Sequence, residues 1–277
     1  MRHLLRPATI AAIVALPLTG QAAEKPLLLD LRIDLYAAGL HAMAMDISAK
    51  LDGMRYRINA NARTQGMADL IAQWRSDSSS EGVIEDGHVK PAWHRQDGRW
   101  RFNERLTRLY YDRDGDVEAK ITPPPGDDDR EPVPETLRTG TLDVLSATLT
   151  GVVVQRPEAY CNRAVPIFDG RRRYDLRLSV VGEDVLAPSE LSSFAGHALK
   201  CEVSVERVAG FKKSSEADEE HREERPPTYL WVAHLPDAGI VVPVRLEAAS
   251  KYGKAIGHLT TVRTRRVGPQ QAATQRP

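Results

Sequence analysis

Two cysteines, Cys161 and Cys201, are all this chain of 277 residues contains, too few to build a structural zinc site by themselves. Basic and acidic residues balance at 38 each. A protein that neutralises many phosphates carries a basic excess or stripe, so nucleic acid is not expected as a partner. Apolar runs are short: the longest candidate, Ala8 to Leu18, falls below the roughly 20 residues that a transmembrane helix needs. Missing as well are a nucleophile elbow, a phosphate loop, a dinucleotide fingerprint and a paired-histidine zinc helix. No catalytic residue, cofactor or metal is therefore expected. His88, His94, His197, His221, His234 and His258 are scattered, and the three adjacent aspartates Asp127–Asp129 lack the spaced ligands of a calcium loop.

What is present begins with an export signal. Arg2 and Arg6 precede the apolar run, and small or polar residues from Thr19 to Ala23 follow it, with cleavage expected after Ala22 or Ala23. Residues 1–23 are thus read as a signal peptide and the protein as periplasmic, with no membrane span once the signal is removed. Without Arg2 and Arg6 the remainder carries two net negative charges. In an oxidising compartment Cys161 and Cys201 are expected to pair; two buried thiols are the alternative.

From Leu27 the pattern has period two. Leu29, Leu31, Ile33 and Leu35 alternate with Asp30, Arg32, Asp34 and Tyr36, and the alternation resumes at Leu40–Lys50 and Met54–Arg63. The links at Gly39 and Asp52-Gly53 are too short for a crossover helix, so the strands form an antiparallel meander. Further strands are expected over Ser78–Glu85, His88–Gln96, Arg99–Tyr111 and Val117–Ile121, with turns at Asp86-Gly87, Asp97-Gly98 and Asp114-Gly115. Pro91 points to an edge strand or a strand end.

Two segments break the rhythm. Met67, Leu70, Ile71 and Trp74 recur at helical spacing, either as an apolar flap with ligand-binding side chains or as a plug facing the core. A second helix is expected over Gly140–Gln155, with Thr141 as N-cap and Leu142, Leu145, Leu149 and Val152 as its apolar stripe. The second half repeats the strand pattern around Tyr174–Val180, Leu199–Val208, Tyr229–Leu235, Ile240–Ala248 and Ile256–Arg266. One β-rich domain over residues 24–267 accounts for this, with a charged flexible insert at 212–227 and a disordered tail at 268–277.

Between the cysteines lies Phe168-Asp169-Gly170-Arg171-Arg172-Arg173-Tyr174-Asp175-Leu176, a turn followed by three guanidinium groups. Arg172 is expected to pair with Asp175, which leaves Arg171 and Arg173, beside Tyr174, as a contact for a phosphate, carboxylate or anionic headgroup. A salt-bridge network that only stiffens the hairpin is the other reading.

Together with Ser78-Ser79-Ser80-Glu81-Gly82, Arg130-Glu131-Pro132-Val133-Pro134, Gly140–Ala147, Cys161 and Cys201, this run resembles the bacterial exported family called domain of unknown function 3108. The resemblance covers roughly Leu28 to Arg266, and the insert at 212–227 departs from it. It implies an envelope protein of curved antiparallel sheet, similar in outline to periplasmic carriers of lipids and lipoproteins, and no activity. The expected fold is all-β: a curved meander or half-open β-barrel of about a dozen strands, with one or two short helices on its concave side. Three functions fit: a non-enzymatic binder of an amphipathic or lipid-like envelope ligand, a scaffold or assembly factor for another envelope protein, and a hydrolase using residues such as Glu104 with Arg108 or His94.

Overall fold

The structure is a computed structural model that describes residues 25–124, 130–154, 156–212, 226–250 and 253–267. The expected leader, the aspartate run, most of the charged insert and the tail lie outside the described residues. The first half of the chain forms β1 (Leu27–Ala37), β2 (Leu40–Asp52), β3 (Arg55–Thr64), helix α1 (Gly66–Ile71), β4 (Trp74–Glu85), β5 (His88–Trp100), β6 (Asn103–Tyr111) and β7 (Val117–Thr122). Helices α2 (Val144–Val153) and α3 (Pro157–Cys161) follow. The second half forms β8 (Arg163–Phe168), β9 (Arg173–Leu186), β10 (Gly196–Ala209), β11 (Thr228–Leu235), β12 (Ile240–Ser250) and β13 (Gly253–Arg266).

The described strands make one sheet of thirteen in the order β7-β6-β5-β4-β3-β2-β1-β13-β12-β11-β10-β9-β8, antiparallel at every pairing. Two meanders therefore run outward from the centre, where β1 pairs with β13 from Leu27↔Arg266 to Ala37↔Ala255. The chain leaves the sheet at edge β7 and re-enters at edge β8. Its crossing carries α2, which packs against β3, β4 and β5 on one side and against β8 and β12 on the other. Strands that distant in sheet order meet one helix only because the sheet curls around it.

Alternation decides the two faces. Leu27, Leu29, Ile58, Val242, Val244 and Leu259 point inward and join Leu145 and Leu149 of α2 in the main core. Asp30, Arg32, Asp46 and Asn61 point outward. The crossing also spans the gap between the edges: Leu142 takes the free edge of β8 through Leu142 N–H to Pro166 O and Phe168 N–H to Leu142 O, both at 2.9 Å. Gly140 N–H donates to Gly115 O on the far side at 3.0 Å. A smaller core of Leu109, Val117, Val133 and Phe168 fills the seam. The half-open barrel is thereby closed by loop and side chains rather than by a strand pair.

Several local expectations are corrected. Asp97-Gly98 is no turn: Asp97 pairs with Asp77 and Leu106 inside the sheet, its carboxylate accepts from Arg95 and Arg108, and the chain reverses instead at Arg101 and Phe102. Pro91 lies in an interior strand, opposite Gly82 of β4, but the pairing of β5 with β6 begins only at Trp93, so the strand is edge-like at the proline. The first helix ends at Ile71, and Trp74 opens β4. Helix α2 is capped by Asp143, two residues later than the expected Thr141, whose hydroxyl donates to Arg138 O at 2.6 Å. The strand Arg163–Phe168 was not foreseen, because Pro166 and a preceding helix mask so short a run.

Cys161, at the end of α3, is bonded to Cys201 of β10, with Cα atoms 5.7 Å apart and both residues fully buried. The link ties the crossing to the second meander 40 positions on. Replacing both cysteines with alanine is expected to lower the unfolding free energy by roughly 4 kcal/mol on the loop-closure estimate. A shift of the urea midpoint checks this, and an unchanged midpoint would show that the bond only records a proximity set by packing.

Candidate functional site

The arginine hairpin serves as a clasp on the barrel seam. Asp169 caps its turn, accepting from the Arg171 and Arg172 amides at 3.0 and 2.8 Å. The Arg171 guanidinium donates to Pro123 O, at the end of β7, and so joins one edge of the sheet to the other. Thr107 and Ile121 press on Gly170, where a Cβ would come within 2.6 Å of the Thr107 methyl. Arg172 pairs with Asp169, and Asp175 pairs with Arg173 at 2.7 Å, so the expected Arg172–Asp175 pair is corrected. Residues two apart share a strand face, which puts Asp175 beside Arg173. Tyr174 packs edge-on against Phe211, and burial followed by the Asp169 charge pushes its hydroxyl up to about 12. All three guanidinium groups have partners within the protein.

The interior holds a polar cluster beneath α2. Ser80 Oγ lies 2.7 Å from Asp143 Oδ1 and 2.8 Å from His94 Nδ1, and His94 Nδ1 lies 3.1 Å from the same carboxylate oxygen. Asp143 Oδ1 also accepts the Leu145 and Ser146 amides at 3.0 Å, and Oδ2 accepts from Ser146 Oγ at 2.5 Å. Tyr56 reaches Ser146 Oγ at 2.8 Å. The serine at position 80 therefore has a histidine beside it, which the sequence did not disclose: 14 residues separate them, and the contact exists because β4 and β5 pair Ser80 directly with His94.

Serine, histidine and aspartate do not make a catalytic triad here. A triad places the serine on one imidazole nitrogen and the carboxylate on the other. Here both share Nδ1, and the side chains of His94 and Asp143 are only 4% and 0% exposed. The cluster is a helix anchor. Burial raises the Asp143 pKa, but hydrogen bonding and charge from His94, with the Ser146 hydroxyl and amide, outweigh it and hold the carboxyl below its ordinary value. Burial, followed by the Asp143 charge, pushes the Tyr111 hydroxyl upward. The other residues considered for hydrolysis do not converge with His94: Glu104 faces outward and pairs with Arg99, and Arg108 pairs with Asp97.

On the outer face a trough of about 630 Å³ crosses the sheet from Arg263 and Thr261 to Arg95 and Asp97. Its polar groups are tied to one another. Arg32 bridges Asp34 and Asp46 at 3.0 Å, Arg63 joins Asp46 to Asn61, and Asn61 donates to Asp77. Thr260, admitted by a bulge in the β1–β13 pairing, donates to Asp34 at 2.6 Å. These pairs form a ladder along the trough, which is also lined by Asp30 and Arg263.

The apolar end of the sheet is the opposite case. Met67, Leu70 and Ile71 of α1 are 59%, 78% and 67% exposed, so the helix does not plug the core. The chain turn at Arg101 and Phe102 folds against it: Arg101 N–H donates to Gln73 O at 2.8 Å, and its guanidinium donates to Ile71 O at 2.5 Å. Phe102 is 97% exposed, and Trp100 of the same end, 59% exposed, pairs across the ladder with half-buried Trp74. Leu40, at the β1–β2 turn, adds a further exposed side chain to this end. The four apolar residues expected around α1 are thus brought together, whereas Arg171, Arg173 and Tyr174 lie apart on the seam. Trp100 and Phe102 were missed as members because the misplaced turn at Asp97-Gly98 put them inside a strand.

The polar anchor predicts a pH effect of definite sign. A carboxyl with a depressed native pKa stabilises the fold fully above its unfolded value, and that stability is lost as pH falls through the native value. Unfolding in urea is expected to become easier below about pH 4 in the parent protein, with a weaker acid dependence in Asp143→Asn. Asp143→Ala, which removes the cap and strands Ser80 and Ser146, is expected to cost about 3 kcal/mol at neutral pH, measured by the same titration.

No curated protein matches this chain. Among solved structures, a β-barrel-like protein of domain of unknown function DUF1849 from Brucella abortus is similar over 89% of this chain and 100% of that one, at 12% identity and a TM-score of 0.47. A family model described as protein of unknown function (DUF3108) matches residues 32–260, from the strand at the sheet centre, through both meanders and the anchored crossing helix, into the strand that closes the sheet. With most of its length covered, the chain belongs to the DUF3108 family.

Proposed function

We propose that this is an exported cell-envelope protein that works by binding and not by chemistry, taking amphipathic, lipid-like material at the apolar end of its sheet. The carrying observation is the exposure of Met67, Leu70, Ile71 and Phe102 on one end of the molecule. Burying such a side chain is worth about 1.5–3 kcal/mol, and a fold selected only for stability would turn it inward or replace it. The concave side, where a carrier of the barrel type would hold its ligand, is occupied by α2 and the residues packed on it. Binding at the rim needs no opening of that core. The buried disulfide supports an oxidising compartment and hence the export reading.

The test uses protein recovered from the periplasm of its own host and examined by native mass spectrometry and lipid extraction. Bound lipid or another amphiphile is expected. Leu70→Ser with Phe102→Ser is expected to reduce it about tenfold while changing stability by no more than roughly 0.5 kcal/mol, because neither side chain touches the core. Repeated recovery of bare protein, with parent and variant alike, would overturn the reading. Crosslinking in cells separates it from the scaffold alternative, in which the same end would trap a protein and no lipid.

A further inference from the structure

The strands that end in the apolar cluster carry a second feature that sheet stability does not explain. Arg63, Arg75 and Arg99 stand directly opposite one another on β3, β4 and β5, in the pairs Arg63↔Arg75 and Arg75↔Arg99. Like charges placed directly across a ladder destabilise it. Asp46 holds Arg63 and Glu104 holds Arg99, but Arg75 is exposed and has no hydrogen bond or ion pair among the described residues. Arg101 adds a fourth guanidinium at the turn, and the nearby acids Asp69 and Glu104 are both engaged, Asp69 by the Thr64 hydroxyl at 2.8 Å.

The order of side chains along these strands is graded. Phe102 and the α1 residues stand outermost, Trp74 and Trp100 come next, and Arg75 and Arg99 lie one residue further in. With roughly 3.3 Å per strand residue, apolar tip, aromatic rings and guanidinium row fall within about 10 Å of depth. That is the depth over which a bilayer passes from acyl chains to headgroup phosphates, with tryptophan favoured at the boundary. Met67, Leu70 and Ile71 keep the i, i+3, i+4 spacing that sets one face of a helix against a plane.

We propose that the partner of this end is the headgroup layer of an anionic bilayer, with α1 and the Arg101-Phe102 turn inserted among the acyl chains and the row Arg63, Arg75, Arg99 set against the phosphates. The proposal rests on the lipid-binding reading above and narrows it from a lipid molecule to a membrane surface. A protein partner would satisfy the apolar tips as well, but the chain sets beside them an exposed guanidinium, Arg75, with no ion pair among the described residues and with Arg63 and Arg99 directly across the ladder on either side, which suits a plane of repeating anions.

The experiment is vesicle sedimentation of the full chain with phosphatidylcholine alone and with about one-third phosphatidylglycerol, at low and high salt. Every variant keeps the same N-terminal residues, so their contribution cancels. Binding to the anionic vesicles is expected to exceed binding to neutral ones at least tenfold and to weaken with salt. Arg75→Glu is expected to lose about tenfold on anionic vesicles with an unchanged melting temperature, and Leu70→Ser with Phe102→Ser to lose binding to both. Equal binding to the two vesicle types, unmoved by Arg75→Glu, overturns the anionic surface and leaves lipid binding standing. Recovery of single lipids by mass spectrometry without vesicle binding does the same. Failure of both assays removes the proposal and the reading beneath it.

Discussion

A carboxylate sealed from water sits at the start of helix α2, which this sheet encloses, and the architecture depends on its being satisfied. The chain must pass from one outer strand to the other, and the crossing brings its helix against the core face of the sheet. A helix that begins in an apolar interior exposes unpaired amides to a medium that cannot solvate them. Asp143 answers two of these amides, and Ser80, His94 and Ser146 answer Asp143. Two elements distant in sequence are thereby locked to one atom group. Position of the helix, curvature of the sheet and register of β4 against β5 are a single arrangement, and the loss of any member leaves a buried charge without its partners.

The strands were legible because their physics is local. Alternation from Leu29 to Leu35, and Gly or Asp-Gly at the links, settle face and direction without reference to anything distant. Where a local cue failed, a partner far away had changed its meaning. Asp97-Gly98 has turn chemistry, but Arg95 and Arg108 hold the aspartate in an extended ladder. Thr141 and Asp143 are both capable caps, and the choice fell to the residue that Ser80 and His94 meet. The arginine run misled for a similar reason: Pro123 O, which Arg171 reaches across the seam, is 48 positions earlier in the chain. The apolar set on α1 could be found by periodicity, but periodicity reports that side chains share a face and not whether that face meets protein or something else.

Inside and outside divide the work of this molecule. The interior is committed to its helix, the outer trough to its own ion pairs, and the seam to its arginines. Most of these polar groups have counterparts within the protein, so stability and specificity of fold account for them. Exposed apolar side chains also occur on β9 and β10, at Val181, Val185, Val205 and Val208, but at the α1 end they stand beside an exposed arginine, Arg75, that has no ion pair among the described residues.

The pairing of β1 with β13 has a consequence in time. These strands stand at the middle of the sheet, yet Leu27 and Arg266 lie at opposite ends of the described chain. Synthesis delivers the first meander with one flank of its innermost strand still bare, and the strand that covers it arrives last. Until then Leu27 to Ala37 presents an open row of amides and carbonyls, the template on which chains of the same kind add to one another. A contact of such long sequence separation also forms slowly. The molecule thus passes through a vulnerable interval of its own design, in which delay in the final strand, and not weakness of the finished sheet, determines how much of the protein is lost to association.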